Sequence, residues 1–461
     1  MQTRETALPR PTRPTFWQRL SGPQLIALTF AAAILIGALL LWLSLTHQAG
    51  QTLTFVQAVF MSTSAVCVTG LAVVDPGSTF NLTGQVVLLL LIQLGGLGLV
   101  TLGTLFAITL GRRVSITERV RAAEQANALH LGEVITIVRT VVLLAAGVEL
   151  AGTLLLAPDF IRHEGVGRGL YFALFHSVSA FNNAGFSLYK TGLAGFVTDP
   201  WVNLVIPLLI ILGGLGFLVQ MNVLLWLQNP RRNRLSVNTK LSLTMTAILL
   251  AVGILTFALL EWNNSKTLGN LTFGQKIMAS VFQGVTPRTA GFNTLQYVQM
   301  KYTTLFIAML LMFIGANSGS TGGGIKANTF SIMAVSAWSL VRGHSDIHLF
   351  RRRISLELVL RALTVTLLSA ALVLVGFTLM LYFNTNVNLK FHQLLFETIS
   401  AFATVGLSMD TTPLLNANQE LVLIALMFFG RIGPLTFAVA FAQKRAARLV
   451  QYPAENDVLV G

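Results

Sequence analysis

The chain has 461 residues, 54% of them hydrophobic and only 10% charged, and its mean hydropathy is +0.71. So small a polar fraction cannot cover a water-soluble protein of this length, and the solvent must be lipid. The net charge of +14 falls in short clusters between apolar segments, which excludes nucleic-acid binding, while the single cysteine, Cys67, excludes an internal disulfide and a cysteine-based metal site.

In chain order, Met1 to Pro14 is an Arg- and Pro-rich arm that reads as disordered. Leu25 to Leu45 follows without a charge and is long enough for a hydrocarbon core of about 30 Å. It is too long for a signal-peptide core and belongs to the mature chain. Next comes Phe55 to Ala65, apolar but about half the length a bilayer requires. It leads into the phrase FMSTSAVCVTGL, which ends on Gly70 and Leu71, and then into a second span containing GGLG at Gly95.

This succession occurs four times. First spans are Leu25 to Leu45, Ile137 to Leu156, Leu241 to Leu260 and Ala362 to Phe383. Half-length segments are Phe55 to Ala65, Tyr171 to Phe181, Gly274 to Gly284 and His392 to Phe402. The later phrases are FHSVSAFNNAGF, FQGVTPRTAGF and FETISAFATVGL, which place Gly185, Gly291 and Gly406 in step with Gly70. Each second span carries a further glycine, at Gly95, Gly213, Gly315 and Gly430. The fold class is therefore an all-α integral membrane protein with eight transmembrane helices, arranged as four helix–pore loop–helix repeats around a pseudo-fourfold central pore. The repeats are assigned to residues 23–111, 112–228, 229–345 and 346–450, between a cytoplasmic arm (1–22) and a C-terminal tail (451–461).

The basic residues orient the chain. Arg4, Arg10, Arg13 and Arg19 precede the first span, and clusters around Arg112, Arg231, Arg351 and Lys444 close the four repeats. The positive-inside rule puts all five clusters and both termini in the cytoplasm of a cell whose cytoplasmic membrane the chain spans many times. The half-length segments then enter from outside.

A loop whose carbonyls line a narrow axis replaces the hydration shell of a monovalent cation, and the half-helices aim the negative ends of their dipoles at that axis. The expected filter is Val68, Thr69 and Gly70; Asn183, Ala184 and Gly185; Thr289, Ala290 and Gly291; Thr404, Val405 and Gly406. Potassium is the expected transported ion, with sodium as a second candidate, and the chain shows no organic cofactor site. Asp75, Asp199 and Asp410 follow the loops and are expected to concentrate cations outside. His176 and Glu397 read as supports for the loops, where Met61 and Gln283 stand in the other repeats. Glu149, inside a span, receives no role. Gly95, Gly96, Gly98, Gly213, Gly214 and Gly216 read as helix-packing glycines.

The third repeat departs from the others at GANSGSTGGGIKANTF. At about 1 kcal/mol of helix propensity per glycine, Gly315, Gly319, Gly322, Gly323 and Gly324 together disfavour helix by roughly 5 kcal/mol. A break is expected there. Its residues Gly315, Asn317, Ser318, Gly319, Ser320, Thr321, Gly322, Gly323, Gly324 and Lys326 are expected to form a gate below the filter. Ile325 and Ala327 stand where a phosphate-binding loop needs Lys and Ser or Thr, so that reading fails. Arg431 occupies the place of Gly96 and Gly214; at mid-span it costs about 2.5 to 3.5 kcal/mol and needs acceptors, which the broken helix offers.

These motifs resemble the Trk/Ktr/HKT superfamily of potassium transporters over nearly the whole chain, from Leu25 to the terminal YPAENDVLVG. Eight spans favour its Ktr branch. The resemblance implies a homodimer with one pore per subunit above a cytosolic ring of nucleotide-binding regulatory subunits. It also implies that the tail from Tyr452 to Gly461 packs between subunits, and that Gly70 keeps the potassium pattern where a serine accompanies sodium permeation in some plant members. An alternating-access carrier remains the alternative, although such carriers usually show two inverted halves. An enzyme is not expected, because the seven histidines do not cluster with carboxylates.

Overall fold

The computed structural model describes residues 22–109, 131–343 and 346–433. The N-terminal arm, the clusters at Arg112 and Lys444, and the tail lie outside the described residues. Repeat one opens with α1 (Gly22–Trp42), followed by the half-length α2 (Phe55–Val66) and by α3 (Leu82–Thr109). Repeat two has α4 (Leu131–Glu164), half-length α5 (Val166–Phe181), and α6 (Pro200–Leu215) with α7 (Phe217–Gln228). Repeat three has α8 (Val237–Glu261), α9 (Phe273–Val285), α10 (Tyr302–Phe313) and α11 (Ala327–Val341). After a two-stranded ribbon, His348–Leu349 with Arg352–Arg353, repeat four has α12 (Leu356–Tyr382), α13 (Phe391–Phe402) and α14 (Ala417–Ile432).

The first helix of each repeat is long and apolar enough to cross a membrane. Each also leaves large apolar side chains uncovered by protein, such as Leu35, Leu150, Leu255 and Leu374, which are more than half exposed. In water such a surface would aggregate; in a bilayer it is the lipid contact. The half-length helices lie inside this ring of spans. A glutamine ties the first turns of α2, α9 and α13, as where Gln57 N donates to Thr54 Oγ1 and Thr54 N to Gln57 Oε1, whereas α5 starts after Gly165 without such a cap. The recurring aromatics Phe60, Phe175, Phe282 and Phe396 are fully buried.

The second helices differ from expectation. A break was expected only in repeat three, yet α3 turns at Gly98 (φ 77°, ψ 179°), α6 and α7 meet at 100° across Gly216 (φ 90°, ψ 137°), and α14 ends at Gly433 (φ 90°, ψ 132°). These are backbone angles that L side chains rarely adopt. Gly98 and Gly216 are therefore turning points rather than packing glycines. The packing role holds for Gly95 and Gly213, and also for Gly430: a Cβ on any of them would strike the carbonyl oxygen of Val66, Phe181 or Phe402, at the inner ends of α2, α5 and α13.

Candidate functional site

The four loops after α2, α5, α9 and α13 close into a ring. A Cβ placed on Gly70 would fall against the Ala184 carbonyl of loop two, and one on Gly185 would lie 2.7 Å from the Gly291 Cα of loop three. From Gly291 it would lie 2.6 Å from the Val405 carbonyl oxygen of loop four, and from Gly406 it would strike the Thr69 carbonyl of loop one. Each glycine thus faces the next loop in the same rotational sense, and the fourth returns to the first.

The backbone repeats as well. Val68, Asn183, Thr289 and Thr404 have φ of 56°, 58°, 65° and 49°, and the glycines two residues later have φ of 96°, 68°, 78° and 88°. Thr69, Ala184, Ala290 and Val405 between them are right-handed or extended. Alternating hands at successive residues turn successive carbonyls toward one side, the arrangement a carbonyl-lined passage requires. Non-glycine residues pay strain at positive φ. Here it is held by bonds back into the half-length helices: Thr69 N to Ser64 O at 2.7 Å, Ala184 N to Ser179 O at 2.7 Å, and Val405 N to Ser400 O at 2.9 Å.

Side chains behind the ring secure the outer ends of the loops. His176 Nδ1 bonds the Phe172 carbonyl at 2.8 Å, which leaves Nε2 to accept from Ser187 Oγ at 3.0 Å. Glu397 accepts from Ser408 Oγ, from Thr412 Oγ1 at 2.9 Å and from Met409 N at 3.3 Å. Gln283, with its amide oriented to satisfy both ends, donates to Tyr297 Oη at 3.0 Å and accepts from Thr294 N at 3.1 Å and Leu295 N at 2.8 Å. Of the outer acids, Asp75 accepts from Ser78 N at 3.1 Å and Asp199 from Trp201 N at 2.8 Å, so both cap helices; Asp410 is exposed.

Below the ring lies the glycine-rich stretch. Its base is a parallel pairing of Ile314 with Ile325, with Gly315 N donating to Ile325 O at 2.8 Å and Ala327 N to Ala316 O at 3.1 Å. Between these points the chain runs under loops three and four. A Cβ on Gly322 would strike Thr289 Oγ1, one on Gly323 would strike Thr404 Oγ1, and one on Gly324 would sit 3.2 Å from the Ala403 Cα. Only glycine lets the segment come this close to the loops.

The segment's polar groups bond mainly to repeat two rather than to one another. Asn317 N donates to Gly214 O at 3.2 Å, Thr321 N to Gly213 O at 3.4 Å, and Gly319 O accepts from Phe217 N at 3.1 Å, while the Ser318 carbonyl packs against Gly216. Ser320 turns back onto Asn317 O, from Oγ at 2.6 Å and from N at 3.3 Å. Lys326 Nζ donates to Gly322 O at 2.5 Å. Arg431, 6% exposed, donates from Nη1 to Thr321 O and from Nη2 to Gly95 O, bridging the segment to repeat one. The carbonyls that a mid-span arginine needs are thus supplied.

Arg288 is a residue that the sequence reading passed over. It is buried at the base of loop three, where the other loops carry Cys67, Asn182 and Ala403. Its Nη2 donates to Thr246 Oγ1 at 3.4 Å, and Asn317 Nδ2 donates to the same oxygen at 2.9 Å. An arginine inside an otherwise apolar phrase was the available signal.

Four spanning repeats whose re-entrant loops meet in one ring define a multi-pass membrane transport protein of the pore-loop class, not an enzyme. The chain belongs to the TrkH family, described as cation transport protein, which matches residues 21–452. It is 42% identical over 445 residues to the Ktr system potassium uptake protein B of Bacillus subtilis, covering 96% of this chain and 98% of that one. It is 36% identical over 445 residues to the potassium/sodium uptake protein NtpJ of Enterococcus hirae, covering 96% and 98%. The crystal structure of the potassium transporter TrkH from Vibrio parahaemolyticus shares the fold, with a TM-score of 0.73 at 16% identity over 94% of this chain and 87% of that chain.

Proposed function

We propose that the protein takes up potassium through the ring, with residues 68–70, 183–185, 289–291 and 404–406 as the selectivity filter. The observation that carries this reading is the closed ring itself: four glycines facing one another in sequence, each with a residue at positive φ two positions before it. The hydroxyl oxygens of Thr289 and Thr404 have no hydrogen-bond partner among the described residues, which leaves them free to contact a passing ion below the carbonyls. Both termini lie in the cytoplasm and the loops open outward, as the basic clusters imply. Sodium is a second permeant candidate, in keeping with the name of the Enterococcus relative. In a bacterium lacking its own potassium uptake systems, rubidium entry through this protein should saturate and be competed by potassium at lower concentration than by sodium. Equal competition by the two ions would refute a potassium filter.

The segment 315–326, held by Arg431, is the gate of this passage, and the assembly is a homodimer controlled by a cytosolic nucleotide-binding ring. The ring docks on the basic linkers between repeats, which also meet anionic lipid headgroups. Co-expressed with such a subunit, the protein should purify with it at low salt and release it as salt rises. Failure to co-purify at any salt would leave the linkers to lipid alone.

A further inference from the structure

Glu149 sits within the span α4 and is 7% exposed; beside it Asn182, which ends α5, is fully buried. Asn182 Nδ2 lies within hydrogen-bond distance of three acceptors: Glu149 Oε1 at 2.9 Å, Gln93 Oε1 at 3.0 Å and Val178 O at 2.9 Å. Gln93 Nε2 reaches Glu149 Oε2 at 3.2 Å. An amide nitrogen has two hydrogens, so acceptors outnumber donors at this point. Asn182 Oδ1, also buried, has no partner among the described residues, and none of the ion pairs found there involves Glu149.

Comparison between repeats shows that the scaffold does not need this carboxylate. Ser177 Oγ donates to the Glu149 carbonyl at 2.7 Å just as Ser62 Oγ donates to that of Ile34, so an apolar side chain serves at the matching place in repeat one. Charge is distributed unequally in a second way. Where repeat four carries Arg431, repeat one carries Gly96, and a Cβ there would strike Asn182 Oδ1. One corner beneath the ring thus has a cation built into the chain; this one has a carboxylate and amide oxygens instead. A buried carboxylate is costly unless a positive charge meets it.

We propose that Glu149, Gln93 and Asn182 form a binding site for a small monovalent cation of sodium size, off the pore axis at the junction of repeats one and two. Turning the Asn182 amide over exchanges Nδ2 for Oδ1 and gathers oxygens of all three side chains around one point. Oxygens spaced near 3 Å, as Nδ2 and its acceptors now are, can all be touched at once by an ion of sodium size. Asn182 directly precedes Asn183, so the bound ion fixes the entry to loop two and links its occupancy to the ring.

The test uses the purified full-length protein at a fixed, saturating potassium concentration, with choline replacing sodium to hold ionic strength. Added sodium should raise the melting temperature saturably. Glu149→Gln, which keeps the shape and removes the charge, should abolish that rise, and Gln93→Leu should raise the sodium midpoint by about tenfold. Glu149→Asp, which keeps the charge, should retain the response and guards against a Gln variant that does not fold. An unchanged sodium response in Glu149→Gln and Gln93→Leu would overturn the site. So would a parent that ignores sodium but whose melting depends on pH through Glu149, because the carboxyl would then hold a proton. Rubidium uptake by the same preparations reports on the pore separately, so failure of the filter reading would not be mistaken for failure of this one.

Discussion

Gly70→Ser is expected to lower the preference for potassium over sodium by at least about tenfold, which corresponds to ~1.4 kcal/mol between the two ions. The reason is geometric. At φ 96° an L side chain is strained by roughly 1–2 kcal/mol, and its Cβ would be driven onto the Ala184 carbonyl, one of the oxygens proposed to replace the ion's water. The strain falls on loop two as well as on loop one, so one substitution disturbs half of the ring. Gly406→Ser should match it, because its Cβ strikes the Thr69 carbonyl; Gly185→Ser and Gly291→Ser, with 2.7 and 2.6 Å to their nearest atoms, should be somewhat milder. Growth on low potassium, with sodium flux measured in parallel, reads all four. Unchanged selectivity in every one would remove these residues from the filter.

That ring was legible because its signal is repeated and local. Four phrases of aromatic, half-helix and glycine can be aligned by eye, and a segment too short to cross a bilayer has few places to go. The break in repeat three was legible for a similar reason, since five glycines within ten residues oppose a helix by composition alone. Gly98, Gly216 and Gly433 were not. In GGLG the first glycine packs against a carbonyl and the last turns the chain, and nothing in the letters distinguishes a close approach from a positive φ. The partners of Asn317 were hidden too, because Gly214 and Thr246 lie far away in sequence and are brought near only by the folding of repeats two and three together. Asp75 and Asp199 did carry a readable sign of their capping role, the proline that follows each, which marks a helix start.

Removing Ser318 to Gly324 is expected to raise potassium flux several-fold with selectivity kept. These residues cover the inner side of loops three and four, where Gly322 and Gly323 lie so close to the hydroxyls of Thr289 and Thr404 that a Cβ on either would strike them; in the proposed gate, an ion leaving the ring has to displace them. They are not part of the ring, whose own bonds run back into α2, α5 and α13 and survive the deletion. Arg431→Ala should move flux in the same direction by a smaller factor. The guanidinium holds Thr321 O and Gly95 O together, and without it the segment loses its tie to repeat one while Asn317 and Gly319 still tie it to repeat two. Each buried carbonyl left unpaired costs about 1–3 kcal/mol unless water reaches it, and a segment that shifts toward water recovers that cost. In the proposed gate, this destabilises a closed arrangement relative to an open one. Both variants should be checked for elution as a single folded species, because the deletion also severs the parallel pairing of Ile314 with Ile325. A deletion protein that folds, reaches the membrane and conducts no faster than its parent would make this segment a structural plug, and the gate would then have to be sought at the turns of α3 and α7.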